Sequence, residues 1–193
     1  MNNYMKQFEN RLMGESPEVF GNFLLENANY IIPRFIESAK ESVSVFIDRI
    51  PGDARQFYES IRTAAANIMQ NSPQKAVESI RVIIVDGKHH PELIVAANEL
   101  NSQLSCKVIS IIESRYNKDK PLNTYVVVDH RRYRLEESHK PFKGEPPDIL
   151  KAEVSCNNPT KAVIMESSFN RLWDALKGKA KEAEGAINDE EKR

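Results

Sequence analysis

The four histidines are the first residues to test for chemistry. His89 and His90 directly follow an apolar, strand-like run at residues 80–85. Such a pair could bind a metal ion, or serve a divergent enzyme together with carboxylates at strand ends. Adjacent side chains diverge, however, and neither His130 nor His139 lies at a spacing that fixes a third ligand. We therefore predict no metal site.

Common catalytic and cofactor signatures are missing from the sequence. It contains no GxxxxGK[ST] loop, no GxGxxG after a strand, no GxSxG and no HExxH. No cofactor is predicted.

A run of basic residues interleaved with a tyrosine is the second candidate. It comprises Arg131, Arg132, Tyr133 and Arg134, with His130 before it and Lys140 and Lys143 after it. This pattern can hold a nucleic-acid backbone and stack bases. Glu136 and Glu137 follow at once, so a solvated hairpin face with ordinary ion pairs explains the same residues. Nucleic-acid binding is possible but not favoured.

Charged residues also follow two predicted strands. Asp48 and Arg49 end the first strand, and Asp86 and Lys88 end the second. Ligands in sheets of this kind bind beyond the strand ends, where the loops diverge. The competing interpretation is structural, because Asp86-Gly87 is a turn signal by itself.

Composition narrows the class of protein. The chain has 193 residues, of which 40% are hydrophobic and 28% charged, and its net charge is -1. A dedicated nucleic-acid binder more often carries a basic surplus. Cys106 and Cys156 are predicted to be free thiols. Because the sequence has no leader-like segment and no apolar run of membrane-spanning length, we expect a cytoplasmic protein that does not enter the membrane.

Hydrophobic periodicity predicts the elements that position these residues. Strands are expected at residues 42–47, 80–85 and 107–112, with helices at 54–70 and 91–104 between them. This order implies a parallel sheet region. A hairpin follows at residues 123–135, then a strand at 151–155 and a helix from Pro159. The fold class is α/β, a mixed sheet flanked by helices.

Residues 1–33 are predicted to form a helical extension. Tyr4, Phe8 and Leu12 share one face of a first helix, a second begins at Pro17, and a third begins near Ile32 because Pro33 interrupts the pattern. The first face either covers the core or forms a dimer surface. At the other end, residues 177–193 are almost without apolar side chains, which predicts a fraying helix end and a solvated tail.

Three segments, taken with the order of elements, resemble the phospholipase D-like superfamily in its single-unit form. They are NTYVVVDHRRYRLEES, AEVSCNNPTKA and SSFNRLWDAL, at residues 123–138, 152–162 and 167–176. The resemblance covers residues 34–176. It implies the superfamily fold, and it also implies a homodimer, because single-unit members typically pair to complete a site.

The sequence departs from that superfamily at the positions of its catalytic motif. The His-x-Lys-x4-Asp motif of the superfamily, aligned on Asp129, puts Leu122 at the histidine and Thr124 at the lysine. Leucine can be neither a nucleophile nor an acid, and threonine offers only a neutral hydrogen bond. The resemblance therefore implies a scaffold without the superfamily reaction, and we lean towards a protein that is not an enzyme.

The resemblance also implies which strand ends meet. The start of the hairpin and the end of the last strand would join the first two strand ends in one cleft. The predicted ligand-binding residues are Asp48, Arg49, Asp86, Lys88, Asn123, Ser155 and Asn157. Asn157-Asn158-Pro159 is equally a good helix start. The sequence thus favours a non-catalytic module that binds a nucleotide, an anion or a protein, with a nucleic-acid binder or a divergent phosphodiesterase or nuclease as alternatives.

Overall fold

The chain forms five α-helices and seven β-strands in a computed structural model that describes residues 2–50, 52–85, 89–114, 121–139 and 148–190. In chain order they are α1 (Asn3–Met13), β1 (Val19–Leu24), α2 (Leu25–Glu37), β2 (Val43–Ile47), α3 (Ala54–Asn71), β3 (Ile80–Ile84), α4 (Pro91–Gln103), β4 (Ile109–Glu113), β5 (Tyr125–Val128), β6 (Arg132–Glu136), β7 (Ile149–Ser155) and α5 (Pro159–Glu190).

All seven strands belong to one mixed sheet, in the order β1-β7-β6-β5-β2-β3-β4. Strands β2, β3 and β4 are parallel, as the β-α-β pattern predicts. Every pairing among β2, β5, β6, β7 and β1 is antiparallel. The chain therefore reverses direction at each strand from β5 to β7. The predicted α/β class and mixed sheet are confirmed.

Helices cover both faces of the sheet. Phe8 of α1, Phe35 of α2 and Ile61 of α3 share one core cluster with Val45 of β2. On the opposite face, Phe46 packs in a second cluster with residues of α5. All five residues of β2 are buried. This two-sided burial explains why the central strands are apolar throughout rather than alternating.

The segment after Pro17 is a strand, so the helix predicted there is wrong. β1 pairs with β7, and Phe20 lies opposite Val154. A short apolar run fits either element, and in this case the pairing with a strand about 130 residues away decides the conformation.

Pro33 lies inside α2 rather than at the start of a new helix. Proline inside a helix costs roughly 3 kcal/mol. Burial of Ile31, Phe35 and Ile36, each at 0% exposure, offsets this cost, because each side chain contributes about 1.5–3 kcal/mol.

The predicted face of α1 covers the core. Phe8 is fully buried, its ring centroid 5.3 Å from that of Phe35, and Leu12 is also buried. This face is therefore not available for dimerisation, and the homodimer stays a prediction that rests on resemblance alone. α5 continues to Glu190, beyond the expected fraying point. Among the described helices, none is both long and apolar enough to cross a membrane.

Candidate functional site

Polar side chains meet at the edge of the sheet where β2 and β6 end and β5 begins. Antiparallel pairing produces this meeting, since Tyr125 lies opposite both Phe46 and Leu135. His139 joins because its backbone bridges to Leu122, just before β5. We call this group the strand-end site. Its members are Asp48, Arg49, Thr124, Arg134, Glu136 and His139.

Glu136 is the centre of the strand-end site. Its Oε1 accepts a hydrogen bond from Arg134 Nη1 at 2.7 Å and lies 3.7 Å from Arg49 Nη2. Its Oε2 accepts from Thr124 Oγ1 at 2.5 Å and lies 3.1 Å from His139 Nε2. Burial opposes ionisation of Glu136, but these hydrogen bonds and positive charges outweigh it and lower its pKa to about 2. Glu136 is therefore ionised at neutral pH.

Asp48 has the opposite electrostatic environment. It is only 6% exposed, and this burial raises the pKa of its carboxyl group, against the charges of Arg49 and His139. Its Oδ1 lies 3.6 Å from Arg49 Nη1, and its Oδ2 lies 3.9 Å from His139 Nδ1. Both contacts are longer than a hydrogen bond. The two carboxyl groups therefore differ, because the pKa of Glu136 is lowered and the pKa of Asp48 is raised.

Arg134 lies deepest in the site, at 1% exposure. Its Nε donates to Asn22 Oδ1 at 2.9 Å, and its Nη1 donates to Glu136. Its Nη2 is buried and finds no hydrogen-bond acceptor among the described residues. The side chain lines a small cavity together with Asp48 and Thr124. A buried guanidinium donor without an acceptor is unusual, and a bound acceptor would satisfy it.

Three members of the site have the chemistry of metal ligands. Ligand atoms of Asp48, Glu136 and His139 lie within 4.8 Å of one another. Glu136, however, already accepts hydrogen bonds from Arg134 and Thr124. A cation would have to compete with these donors and with two guanidinium charges, so the electrostatics favour a different ligand.

The predicted cleft is only partly brought together. Asp48 and Arg49 belong to the strand-end site, and the exposed Asn123 lines a shallow groove beside Glu136. Asp86 and Lys88 lie outside the described residues.

Ser155 and Asn157 lie at the opposite edge of the sheet, so the prediction that they share the cleft is wrong. Ser155 pairs with Tyr133 near the start of β6, because β7 runs antiparallel to β6. Its hydroxyl contacts Pro17 O at 3.4 Å. The competing helix-start interpretation is confirmed, because Asn158 Oδ1, directly before Pro159, accepts from Lys161 N at 3.1 Å.

The residues aligned with the superfamily motif lie at opposite ends of β5. Leu122 is 4% exposed and packs in the cluster of Phe169 and Trp173. Asp129 lies in the turn after β5, where its Oδ1 accepts from the backbone N–H groups of Lys40, Glu41 and Ser42, at 3.0, 2.8 and 3.1 Å. Its Oδ2 pairs with Arg132 at 2.9 Å. Asp129 thus holds the connection between α2 and β2.

Three residues of the basic run are buried. Arg132, Tyr133 and Arg134 are 4%, 0% and 1% exposed, so they can neither stack on bases nor reach phosphates. Arg131 lies 2.9 Å from Glu15, and Lys140 lies outside the described residues. The competing hypothesis of a solvated hairpin face fits only Arg131, because the ion pairs of Arg132 with Asp129 and of Arg134 with Glu136 are buried.

The adjacent histidines both contact Glu113, at the end of β4. His89 Nδ1 lies 2.5 Å from Glu113 Oε2, and the backbone N–H of His90 donates to Glu113 Oε1 at 2.5 Å. One carboxylate at the end of β4 therefore anchors both residues.

Sequence reasoning missed Glu136, His139 and Arg134 as members of the strand-end site. Glu136 could have been predicted from the pairing register of the hairpin. If the two strands are paired outward from the turn at Asp129, Glu136 lies opposite Thr124. His139 had no such signal, because its position depends on a bridge outside the strands.

Comparison with known proteins gives likenesses in structure only. No protein-family model matches the chain, and no curated protein matches it in sequence. Nuc from Salmonella typhimurium, a phospholipase D family member, superposes with a TM-score of 0.53 at 17% identity, over 82% of this chain and 95% of its own. NucT from Helicobacter pylori gives 0.53 at 13% identity, over 81% and 97%.

A third structure is TrmBL2, an archaeal chromatin protein with a novel mode of DNA binding. It gives a TM-score of 0.56 at 8% identity, over 89% of this chain. The chain spans 58% of the TrmBL2 chain. Identities this low show the fold alone. The seven-stranded mixed sheet with its flanking helices is the phospholipase D-like α/β fold.

Proposed function

We propose that this chain is a non-catalytic binding module on a phospholipase D-like scaffold, and that its strand-end site holds an anionic group such as the phosphate of a nucleotide. The observation that carries the proposal is Arg134 Nη2, a buried cationic donor with no acceptor among the described residues, beside a cavity of about 10 Å³, which has room for a single oxygen atom of such a group. Phosphate and carboxylate oxygens are the natural acceptors for a guanidinium group.

The charges of the site support an anion rather than a cation. Arg49 and Arg134 supply two fixed positive charges, which face the carboxylate of Glu136 and, at 3.6 Å from Arg49, the carboxyl group of Asp48. Burial disfavours the charged form of Asp48, and an incoming anion would disfavour it further. Anion binding is therefore coupled to proton uptake by Asp48, and the affinity should increase as the pH falls.

The residues at the aligned motif positions support the loss of the superfamily reaction. Leu122 has no lone pair and no transferable proton, and it is packed into the core. Thr124 donates its hydroxyl to Glu136 and carries no charge to hold a phosphate. Asp129 is occupied with backbone N–H groups.

Thermal unfolding with inorganic phosphate or AMP tests anion binding, because a ligand that binds only the folded state raises its Tm. We expect a concentration-dependent rise for the wild type that Arg49→Met abolishes. The control is Arg62→Met, since Arg62 is an exposed arginine that pairs with Glu59 on α3. The proposal is wrong if neither ligand shifts the wild-type Tm, or if the two variants respond equally.

A separate assay tests the absence of catalysis. Pure protein is incubated with a generic phosphodiester and with single- and double-stranded DNA, with and without a chelator. We expect no turnover. Turnover that survives substitution of Leu122 or Thr124 but is lost in Glu136→Gln would contradict the proposal and point to a different catalytic set in the same site.

Nucleic-acid binding is the second candidate, because one structural neighbour is described by its mode of DNA binding. The buried basic run does not supply the surface. A steep decrease in DNA affinity with increasing salt would support this candidate, since counterion release accompanies phosphate contacts. The homodimer is proposed by resemblance alone, and light scattering that gives a monomer would refute it.

A further inference from the structure

A serine, a histidine and a buried carboxylate are aligned at the edge of the sheet opposite the strand-end site. Ser42 Oγ lies 3.4 Å from His130 Nε2. On the other side of the ring, His130 Nδ1 is hydrogen-bonded to Glu166 Oε2. Glu166 is 8% exposed, whereas the His130 side chain is 49% exposed. The order of groups is nucleophile, base and orienting acid.

Three different elements hold these groups in place. Ser42 precedes β2, His130 lies in the turn between β5 and β6, and Glu166 lies on α5. The backbone of Ser42 is fixed from both sides, because its N–H donates to Asp129 Oδ1 and its carbonyl accepts from Asp129 N. His130 has a φ of 56°, a left-handed conformation that a residue of this type adopts at a cost. The alignment is thus built by the fold rather than by neighbours in sequence.

The electrostatics favour a histidine that can take and hold a proton. The hydrogen bond to Glu166 raises the pKa of His130, against the effect of partial burial, and the charges of Glu41 and Asp129 act in the same direction as Glu166. Arg81 Nη2 lies 3.7 Å from Glu166 Oε1, on the carboxylate oxygen that does not contact the histidine. Lys75 lies further out, paired with Glu41 at 3.0 Å.

The backbone N–H groups that could form an oxyanion hole near Ser42 are already hydrogen-bonded to Asp129. The backbone N–H groups of Lys40, Glu41 and Ser42, which could stabilise an oxyanion, all donate to Asp129. Removing one such donor from a serine hydrolase costs about 10²–10³ in rate. Rapid turnover is therefore not expected, but capture of an already activated electrophile does not need these donors.

We propose that Ser42 is a nucleophilic serine, activated by His130 and oriented through Glu166, which captures activated acyl or phosphonyl groups. In the step, Ser42 Oγ forms a bond to the carbonyl carbon or the phosphorus, and the bond from that atom to its leaving group breaks. His130 Nε2 takes the hydroxyl proton and passes it to the leaving group. Nothing is oxidised or reduced, and the product is an ester of Ser42.

A fluorophosphonate reagent tests the proposal, since its P–F bond breaks as the serine ester forms and fluoride leaves with the proton. Intact mass and peptide mapping are expected to show one adduct, on Ser42, which Ser42→Ala abolishes. His130→Asn keeps a residue that tolerates positive φ and removes the base, so we expect labelling to slow at least about 100-fold. Glu166→Gln should slow it at least about tenfold.

Controls separate activation from simple exposure. Ser168→Ala removes an exposed serine on α5 that donates to Ile164 O, and it should leave the labelling unchanged. The labelling rate of the wild type should rise with pH as His130 loses its proton, and circular dichroism should show that each variant is folded. An adduct absent from Ser42, or one formed equally fast in folded His130→Asn, overturns the proposal. Either result leaves the proposal of anion binding at the strand-end site unaffected, because the two sites lie at opposite ends of the strands.

Discussion

Asp129 offers the sharpest test of how this fold is held together. Its carboxylate accepts three backbone N–H groups from the connection between α2 and β2, and it pairs with Arg132 Nη1 at 2.9 Å. Both side chains are almost completely buried, at 4% and 5% exposure. Asp129→Asn keeps the size of the side chain and its tolerance of a φ of 51°, but removes the charge.

The expected cost follows from what the substitution leaves unpaired. Breaking a buried ion pair by removing one partner costs about 3–5 kcal/mol, because the other charge stays buried. The amide oxygen of asparagine can still accept a hydrogen bond, so we expect about 3 kcal/mol for Asp129→Asn. Asp129→Ala loses every acceptor and adds about 1–2 kcal/mol for the left-handed backbone. We expect about 5 kcal/mol, a large fraction of the stability of an ordinary domain.

Urea unfolding followed by circular dichroism measures these differences, provided that the m-value is unchanged. A double-mutant cycle with Arg132→Met separates the ion pair from the backbone contacts, since the double variant no longer buries an unpaired charge. We expect it to recover part of the loss. A cost below about 0.5 kcal/mol for Asp129→Asn, the range of an ordinary surface change, would refute the reasoning.

Three further predictions concern the strand-end site and the core. The pKa of Glu136 is lowered to about 2 from 4.5, so its stabilisation of about 3 kcal/mol is complete above pH 4.5 and lost between pH 4.5 and 2. The free energy of unfolding, measured by urea titrations across this pH range, should therefore fall less steeply with decreasing pH in Glu136→Gln than in the wild type. The pKa of Asp48 is raised by burial, so Asp48→Asn should increase the Tm at pH 7 and strengthen phosphate binding; a lower Tm would contradict this. Phe169 is fully buried and stacks on Trp173, so Phe169→Ala should cost about 3–5 kcal/mol in urea.

The central part of the fold could be predicted because its signals are local. The apolar runs of β2, β3 and β4, and the one-sided faces of α3 and α4, appear within single windows of sequence. β1 could not be predicted in this way. Its conformation depends on pairing with β7, at the far end of the chain, and its apolar spacing also suits a helix.

The sequence predicted the part of the candidate site that lies at the end of a parallel strand, but not the part that depends on the directions of the antiparallel strands. Asp48 and Arg49 directly follow β2, a parallel strand, and the carboxyl ends of parallel strands lie at the same edge of a sheet. Ser155 was misplaced because β5, β6 and β7 alternate in direction, which puts the end of β7 beside the start of β6. Buried Arg134 was equally hidden, since a basic residue in an alternating strand normally faces solvent.

Thr124 and Asp129, two positions of the aligned motif, lie at opposite ends of β5 and serve different parts of the structure. The four residues of β5 lie between them, a distance of roughly 16 Å, so their side chains cannot act on one small ligand. Position 129 serves the α2–β2 connection, whereas Thr124 belongs to the strand-end site and Leu122 precedes it in the core. A change at one end of β5 can therefore leave the role of the aspartate at the other end intact. It follows that Arg49→Met should abolish the phosphate shift with little change in the free energy of unfolding. Asp129→Asn should do the reverse, lowering stability while the surviving folded protein binds phosphate normally. If the two variants affected both properties alike, the two ends would be coupled and this division would be wrong.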